Sequence, residues 1–178
     1  MFVIGIGHRA RQGKDYLAKA LVMHCNARGI HAKQFAFADA LRSYCRVAFG
    51  MREKDAPLLQ VVGTDIFRKR NPDIWVRVLE DTLNEQQPEV AIITDMRFPN
   101  EAAMIKRLGG ATIDVQRLTG GGFPYVATDR DPNHPSETAL DGYKFDWIVA
   151  AVSGDVHDLV GQGIEAFDVL YELYKQRT

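Results

Sequence analysis

Residues 2–21, FVIGIGHRARQGKDYLAKAL, constrain the fold more than any other part of the chain. Phe2, Val3, Ile4 and Ile6 form an apolar run of strand length, and Leu17, Ala20, Leu21 and Cys25 form a helical stripe after it. Between them lies Gly7-His8-Arg9-Ala10-Arg11-Gln12-Gly13-Lys14-Asp15, the layout of a phosphate-binding loop. A helix start leaves backbone N–H groups unpaired, and the helix dipole adds partial positive charge there. A loop curled over that end makes an anion cradle, and a lysine just inside the helix reaches the outer phosphates. The common pattern is Gly, four residues, then Gly-Lys-Ser/Thr. Here His8 holds the first Gly position and Asp15 replaces the hydroxyl residue. The alternative is an ordinary strand-to-helix turn with solvated charges. The flanking strand and helix favour the cradle.

The remaining chain alternates strands with helices. Strands are expected at 31–37, 89–94, 111–116 and 145–150. Helices are expected at 13–28, 40–49 after Asp39, from Asp55 to about Arg68, from Asp73 onward, at 99–108 and at 155–175. Gly161 and Gly163 allow a bend in the last. Alternation of this kind gives a mostly parallel five-stranded sheet with helices on both faces. Sites in such sheets lie beyond the carboxyl ends of the strands, which gathers the 7–15 loop, Asp39, Asp95, Arg117 and the Ser153-Gly154 loop along one edge.

Composition sets the outer bounds. A chain of 178 residues with 46% hydrophobic content can bury a full core as one domain, residues 1–178. A net charge of −1 gives no global field for nucleic acid. Cys25 and Cys45 have neither metal nor disulfide spacing and suit a reducing cytoplasm as buried thiols. No apolar run approaches membrane-spanning length, and residues 1–6 read as a strand rather than a signal peptide. The five histidines lack ligand spacing.

Asp95 ends an apolar strand, so it reads either as a carboxylate that orients metal-bound water or substrate, or as a helix cap. Asp39 has the same two readings. Residues 118–135, with Gly120-Gly121-Gly122 and three prolines, form a loop too long for an idle connection. Arg117 and Arg130 would give a closing lid the charge that phosphoryl transfer needs, whereas the alternative is a disordered surface loop.

Several strings together resemble the phage-type deoxynucleoside monophosphate kinases. These are Gly13-Lys14-Asp15, Phe37-Ala38-Asp39 with Leu41-Arg42, Leu59-Gln60-Val61-Val62-Gly63-Thr64 and Pro72-Asp73-Ile74-Trp75-Val76. Asp95-Met96-Arg97-Phe98-Pro99-Asn100-Glu101-Ala102 is the most specific, and His134-Pro135-Ser136-Glu137 closes the set. The chain departs from the family at His8, at Tyr16, where a Thr commonly follows, and at Asp65-Ile66-Phe67.

The resemblance implies a three-layer P-loop kinase fold with a mobile lid at about 118–135. It implies transfer of the ATP γ-phosphate to a deoxynucleoside 5′-monophosphate, with Mg2+ as second cofactor. Arg9, Ala10, Arg11, Gln12, Gly13, Lys14, Asp15 and Tyr16 would hold the donor phosphates, with Gly154 near the adenine and Asp15 on the metal. Lys14, Asp39, Asp95 and Arg130 would carry the chemistry. Asp39, Arg42, Gln60, Thr64, Arg68, Trp75, Arg97, Phe98 and Glu137 would bind the acceptor, although core packing is the simpler role for Trp75. The same strings resemble phage kinases that phosphorylate hydroxymethyluracil within DNA, which makes DNA the alternative acceptor. A nucleotide-binding protein without transferase activity is a third reading. A homodimer and a place in the cytoplasm of an infected bacterium are further expectations.

Overall fold

In the computed structural model, which describes residues 1–177, five parallel strands form one sheet in the order β2-β3-β1-β4-β5. The strands are β1 Phe2–Gly7, β2 Ala32–Phe35, β3 Val90–Met96, β4 Ala111–Leu118 and β5 Trp147–Val152. The helices are α1 Lys14–Ala27, α2 Ala38–Phe49, α3 Ala56–Gln60, α4 Ile74–Gln86, α5 Pro99–Arg107, α6 Pro135–Thr138 and α7 Val156–Lys175. A π-helical segment, Val61–Arg68, extends α3.

The central strand is buried along its whole length, as a strand covered on both faces must be. Phe2, Ile4 and Ile6 face one layer, where they meet Leu17 and Leu21 of α1 and Phe167 of α7. Val3 faces the other, with Leu41 of α2, Leu83 of α4 and Ile105 of α5. Each such side chain contributes about 1.5–3 kcal/mol on burial. The expected three layers follow from this alternation. Gly5 marks a close approach within this strand: a Cβ there would stand 2.2 Å from Ile105 Cδ1.

Several boundaries differ from those expected. Strand β2 is only four residues long, because Ala36 and Phe37 already turn into α2. Asp39 does not cap α2 from an N-cap position but lies in its first turn. The end of that helix is closed by Asp95, whose two oxygens accept the N–H groups of Phe37 at 2.7 Å and Ala38 at 3.0 Å. The parallel pairing of β2 with β3 carries the Asp95 carboxylate there. Strand β3 runs on to Met96, so Asp95 sits inside it rather than after it. Asp55 caps α3 as expected, accepting from Leu58 N–H at 2.9 Å. Helix α7 is unbroken through Gly161 and Gly163. A Cβ on Gly163 would lie 2.1 Å from Leu17 Cδ1, so this glycine serves the contact between α1 and α7.

Candidate active site

Strand order reverses at β1, whose neighbours β3 and β4 lead off in opposite directions. A cavity of about 480 Å³ opens beyond the carboxyl ends of the strands at that point. The loop after β1 forms its floor. Gly13 ends that loop in the left-handed region at φ 97°, and Tyr16 and Leu17 N–H groups return to its carbonyl at 3.1 and 3.0 Å. The residues Ala10 to Tyr16 line the cavity, as the sequence suggests.

Two members of that loop stand apart. The Arg9 guanidinium turns outward to Asp141, at 2.7 and 2.9 Å, and its carbonyl accepts the Lys14 ammonium. The Ala10 N–H is committed to Glu137 Oε2 at 2.8 Å. The stretch from Arg11 to Lys14 lines the cavity beside them. His8 lies against Phe145, with its ring nitrogen 3.0 Å from Asp141. It does not line the cavity, which explains how the loop accommodates a side chain where a glycine is common.

Lys14 is buried, and its ammonium pKa falls to about 7. Desolvation is the main cause, the Arg97 charge adds to it, and Glu137, Asp15 and Asp95 oppose it. An arriving polyanion would reverse that balance. Asp15 is exposed beside it and has no hydrogen-bond or ion-pair partner among the described residues. No group of three His, Cys, Asp or Glu among the described residues has metal-site geometry. Mg2+ usually takes one or two carboxylates plus substrate phosphates, and Asp15 fits that donor set.

The opposite wall carries arginines held by buried carboxylates. Arg97 bonds the Ser136 carbonyl at 2.9 Å and pairs with Glu137. Arg130, 7% exposed, lies 3.5 Å from the same Glu137 and 3.0 Å from Asp129. Arg68 pairs with Glu101 and covers the Phe98 ring at 4.1 Å. Glu101, 1% exposed, also accepts the N–H groups of Arg97 at 2.6 Å and Phe98 at 3.0 Å. Burial pushes its carboxyl pKa up to about 7 against the pull of Arg68. Arg42, Gln60, Thr64, Trp75 and Asp95 complete this wall. Trp75 is 5% exposed and donates from Nε1 to the Gly63 carbonyl at 3.1 Å, so the packing role expected for it holds. Gln60 reaches Ser136 Oγ at 3.3 Å.

At the third side, Gly154 has φ 95° and lines the cavity with Val156 and Leu159, which supply an apolar surface. Like Arg9, Asp39 is an expected residue that the fold places outside the main cavity. It accepts from Ala36 N–H at 3.0 Å, pairs with Arg42 at 2.8 Å, and lines a neighbouring cavity. Glu137 also stays behind the wall and acts on the site through Ala10, Arg97 and Arg130.

Sequence reasoning missed Glu101 as an anchor, although it lies in the quoted Asp95–Ala102 string. It also did not single out Lys54, an exposed residue in a charged run that nonetheless lines the cavity. Arg117 proves to be a brace. Its N–H donates to Gln12 Oε1 at 2.6 Å, and its guanidinium holds Ser153 Oγ and stacks on Tyr125 at 4.3 Å.

No family model matches the chain. A deoxynucleoside-5′-monophosphate kinase of Escherichia phage T5 is 38% identical over 84 residues, which is 47% of this chain and 33% of that one. The chain thus spans a third of that relative's length. A protein of Acanthamoeba polyphaga mimivirus, whose name provisionally assigns it as a deoxynucleotide monophosphate kinase, is 29% identical over 94% of this chain and 97% of its own. The resemblance to the phage-type deoxynucleotide kinases is borne out by these relatives. The crystal structure of thymidylate kinase from Ehrlichia chaffeensis superposes with a TM-score of 0.50, at 12% identity, over 95% of this chain and 98% of that one. The fold is that of the P-loop kinases.

Proposed function

We propose that the protein transfers the γ-phosphate of ATP to a deoxynucleoside 5′-monophosphate, giving ADP and the deoxynucleoside diphosphate. One observation carries this reading: Lys14 with its N–H cradle and three buried-carboxylate-anchored arginines, Arg68, Arg97 and Arg130, face one cavity. The names of the phage and mimivirus relatives support the choice of acceptor.

The donor phosphates lie on the N–H groups of Arg11 to Lys14, and the adenine rests near Gly154 and Leu159. Asp15, with the donor phosphates, would hold Mg2+, which would supply charge neutralisation and orientation. An oxygen of the acceptor phosphate attacks the γ-phosphorus while the bond to the β-phosphate oxygen breaks, and the electron pair leaves with ADP. The acceptor is already an anion, so no general base is needed. Asp95, fixed by Phe37 and Ala38, holds the end of α2 and with it the acceptor wall. Arg97 and Arg130 meet the charge on the moving group, and their carboxylate partners keep them in position before substrate arrives, which lowers the reorganisation needed in the transition state.

The test is transfer of labelled phosphate from ATP to each of the four common deoxynucleoside monophosphates. Label should appear in at least one diphosphate, and Lys14→Ala should lower kcat by about three orders of magnitude or more with thermal unfolding preserved. A folded Lys14→Ala protein with near-normal turnover would exclude this donor site. Excess chelator should abolish transfer, and turnover unaffected by it would remove Mg2+ from the scheme.

A further inference from the structure

The cations that line the main cavity are nearly all engaged within the protein. Lys14 is bonded to the Arg9 carbonyl, Arg42 to Asp39, Arg68 to Glu101, Arg97 to Glu137, Arg117 to Ser153 and Arg130 to Asp129. Arg11 pairs with Asp129 at 2.6 Å. Lys54 is the exception: among the described residues it has no hydrogen bond and no ion pair, although it lines the cavity.

Its position is specific. Lys54 lies on the connection between α2 and α3, directly before the Asp55 cap. It lines both the main cavity and the neighbouring cavity of about 450 Å³ that opens under Asp39. Asp15, Arg42 and Thr94 line both cavities as well, so Lys54 stands at their junction. The charges that bear on its ammonium are all site charges: Arg42, Asp15, Arg130 and Arg97. Partial desolvation is the main cause that lowers its ammonium pKa from the ordinary lysine value; Arg42, Arg130 and Arg97 add to it and Asp15 opposes it, while the residue as a whole stays exposed to solvent. A lysine held among like charges without a carboxylate partner is stabilised by an anion brought from outside.

The occupant follows from the geometry and rests on the phosphotransferase reading. The donor phosphates belong to the 11–14 backbone and Lys14. Lys54 lies instead on the segment that leads into the acceptor wall of Gln60, Thr64 and Arg68. We propose that Lys54 binds the 5′-phosphate of the incoming nucleoside monophosphate and is the side chain that selects a phosphorylated acceptor over the bare nucleoside. Its flexible stem lets it follow the phosphate from the junction into line with the donor, where a guanidinium fixed by a buried carboxylate cannot travel.

The experiment compares the wild-type protein with Lys54→Met and Lys54→Arg, using the deoxynucleoside monophosphate that the wild type accepts best. Lys54→Met should raise the acceptor KM and its dissociation constant, measured by calorimetry, at least about tenfold. Lys54→Arg should recover most of that loss. ATP affinity and thermal unfolding should stay at wild-type values in both variants. Binding of the corresponding deoxynucleoside, which has no phosphate, should be equally weak in all three proteins. Unchanged acceptor affinity in a folded Lys54→Met protein overturns the proposal, as does an equal loss for nucleoside and nucleotide. A wild-type protein that transfers phosphate to no free nucleotide and binds none would instead overturn the phosphotransferase reading on which it rests.

Discussion

Lys14 shows how burial sets the working state of one residue. With its pKa at about 7, the ammonium of the free protein is largely neutral at pH 8 and largely charged at pH 6. On the proposed function, bound ATP would add negative charge within reach and return the pKa toward its ordinary value. ATP binding should therefore take up close to one proton at pH 8 and nearly none at pH 6. Calorimetry in buffers of different ionisation enthalpy measures this directly, and equal proton uptake at both pH values would refute it. The sign for stability is opposite to that of a paired lysine. Between about 7 and the ordinary 10.5, the unfolded chain binds a proton that the folded chain lacks, so this group's contribution to stability rises with pH across that window. The lysine's place at the start of α1, facing the cavity, was legible from Gly13-Lys14. Its altered pKa was not, because that depends on the 96-to-137 segments folding over it.

At the scale of elements, the two glycines of α7 look alike in sequence and differ in space. Nothing lies within 4 Å of a Cβ built on Gly161, whereas one on Gly163 would meet Leu17 Cδ1 at 2.1 Å. Gly161→Ala should stabilise the protein by about 0.5–1 kcal/mol through helix propensity. Gly163→Ala should destabilise it by about 1–3 kcal/mol, because overpacking against Leu17 outweighs that gain. Urea unfolding of the two variants checks both signs. The start of α2 makes a related point. Phe37-Ala38-Asp39 reads as a local cap, yet Asp95 caps the helix from 57 and 58 residues away. The π-helical turns at Val61–Arg68 also escape a sequence pattern, since apolar spacing there still suits an α-helix.

Across the whole molecule, the 118–135 segment lies against the phosphate loop. Arg11 bonds Asp129 at 2.6 and 2.9 Å, Gln12 Nε2 donates to the Tyr125 carbonyl at 3.1 Å, and Tyr125 N–H donates to the Arg117 carbonyl at 2.8 Å. The Arg11 pair is exposed and worth about 1 kcal/mol at most. Arg130, by contrast, is buried against Glu137, so opening of the segment has to break that pair as well as the Arg11 and Gln12 contacts before it can close again over substrate. We expect hydrogen exchange in 118–135 to slow when a non-hydrolysable ATP analogue and a deoxynucleoside monophosphate bind together. Unchanged exchange in that complex would rule out a lid.

The alternation of apolar runs and helical stripes determined the layers of the sheet, and Gly13-Lys14 after a buried strand determined where the loop at the floor of the cavity lies. Both are local patterns, set by backbone geometry and burial within a dozen residues. Only the tertiary structure decided which polar groups remain available there. Glu137 takes the Ala10 N–H from 127 residues away and anchors Arg97 and Arg130, while Asp39 is drawn aside by Arg42. Among the described residues Lys54 is left unpaired at the junction of two cavities. Charge–charge contacts need only closeness in space, so a linear spacing rule cannot tell a cation that a carboxylate has already claimed from one that is free to meet a substrate.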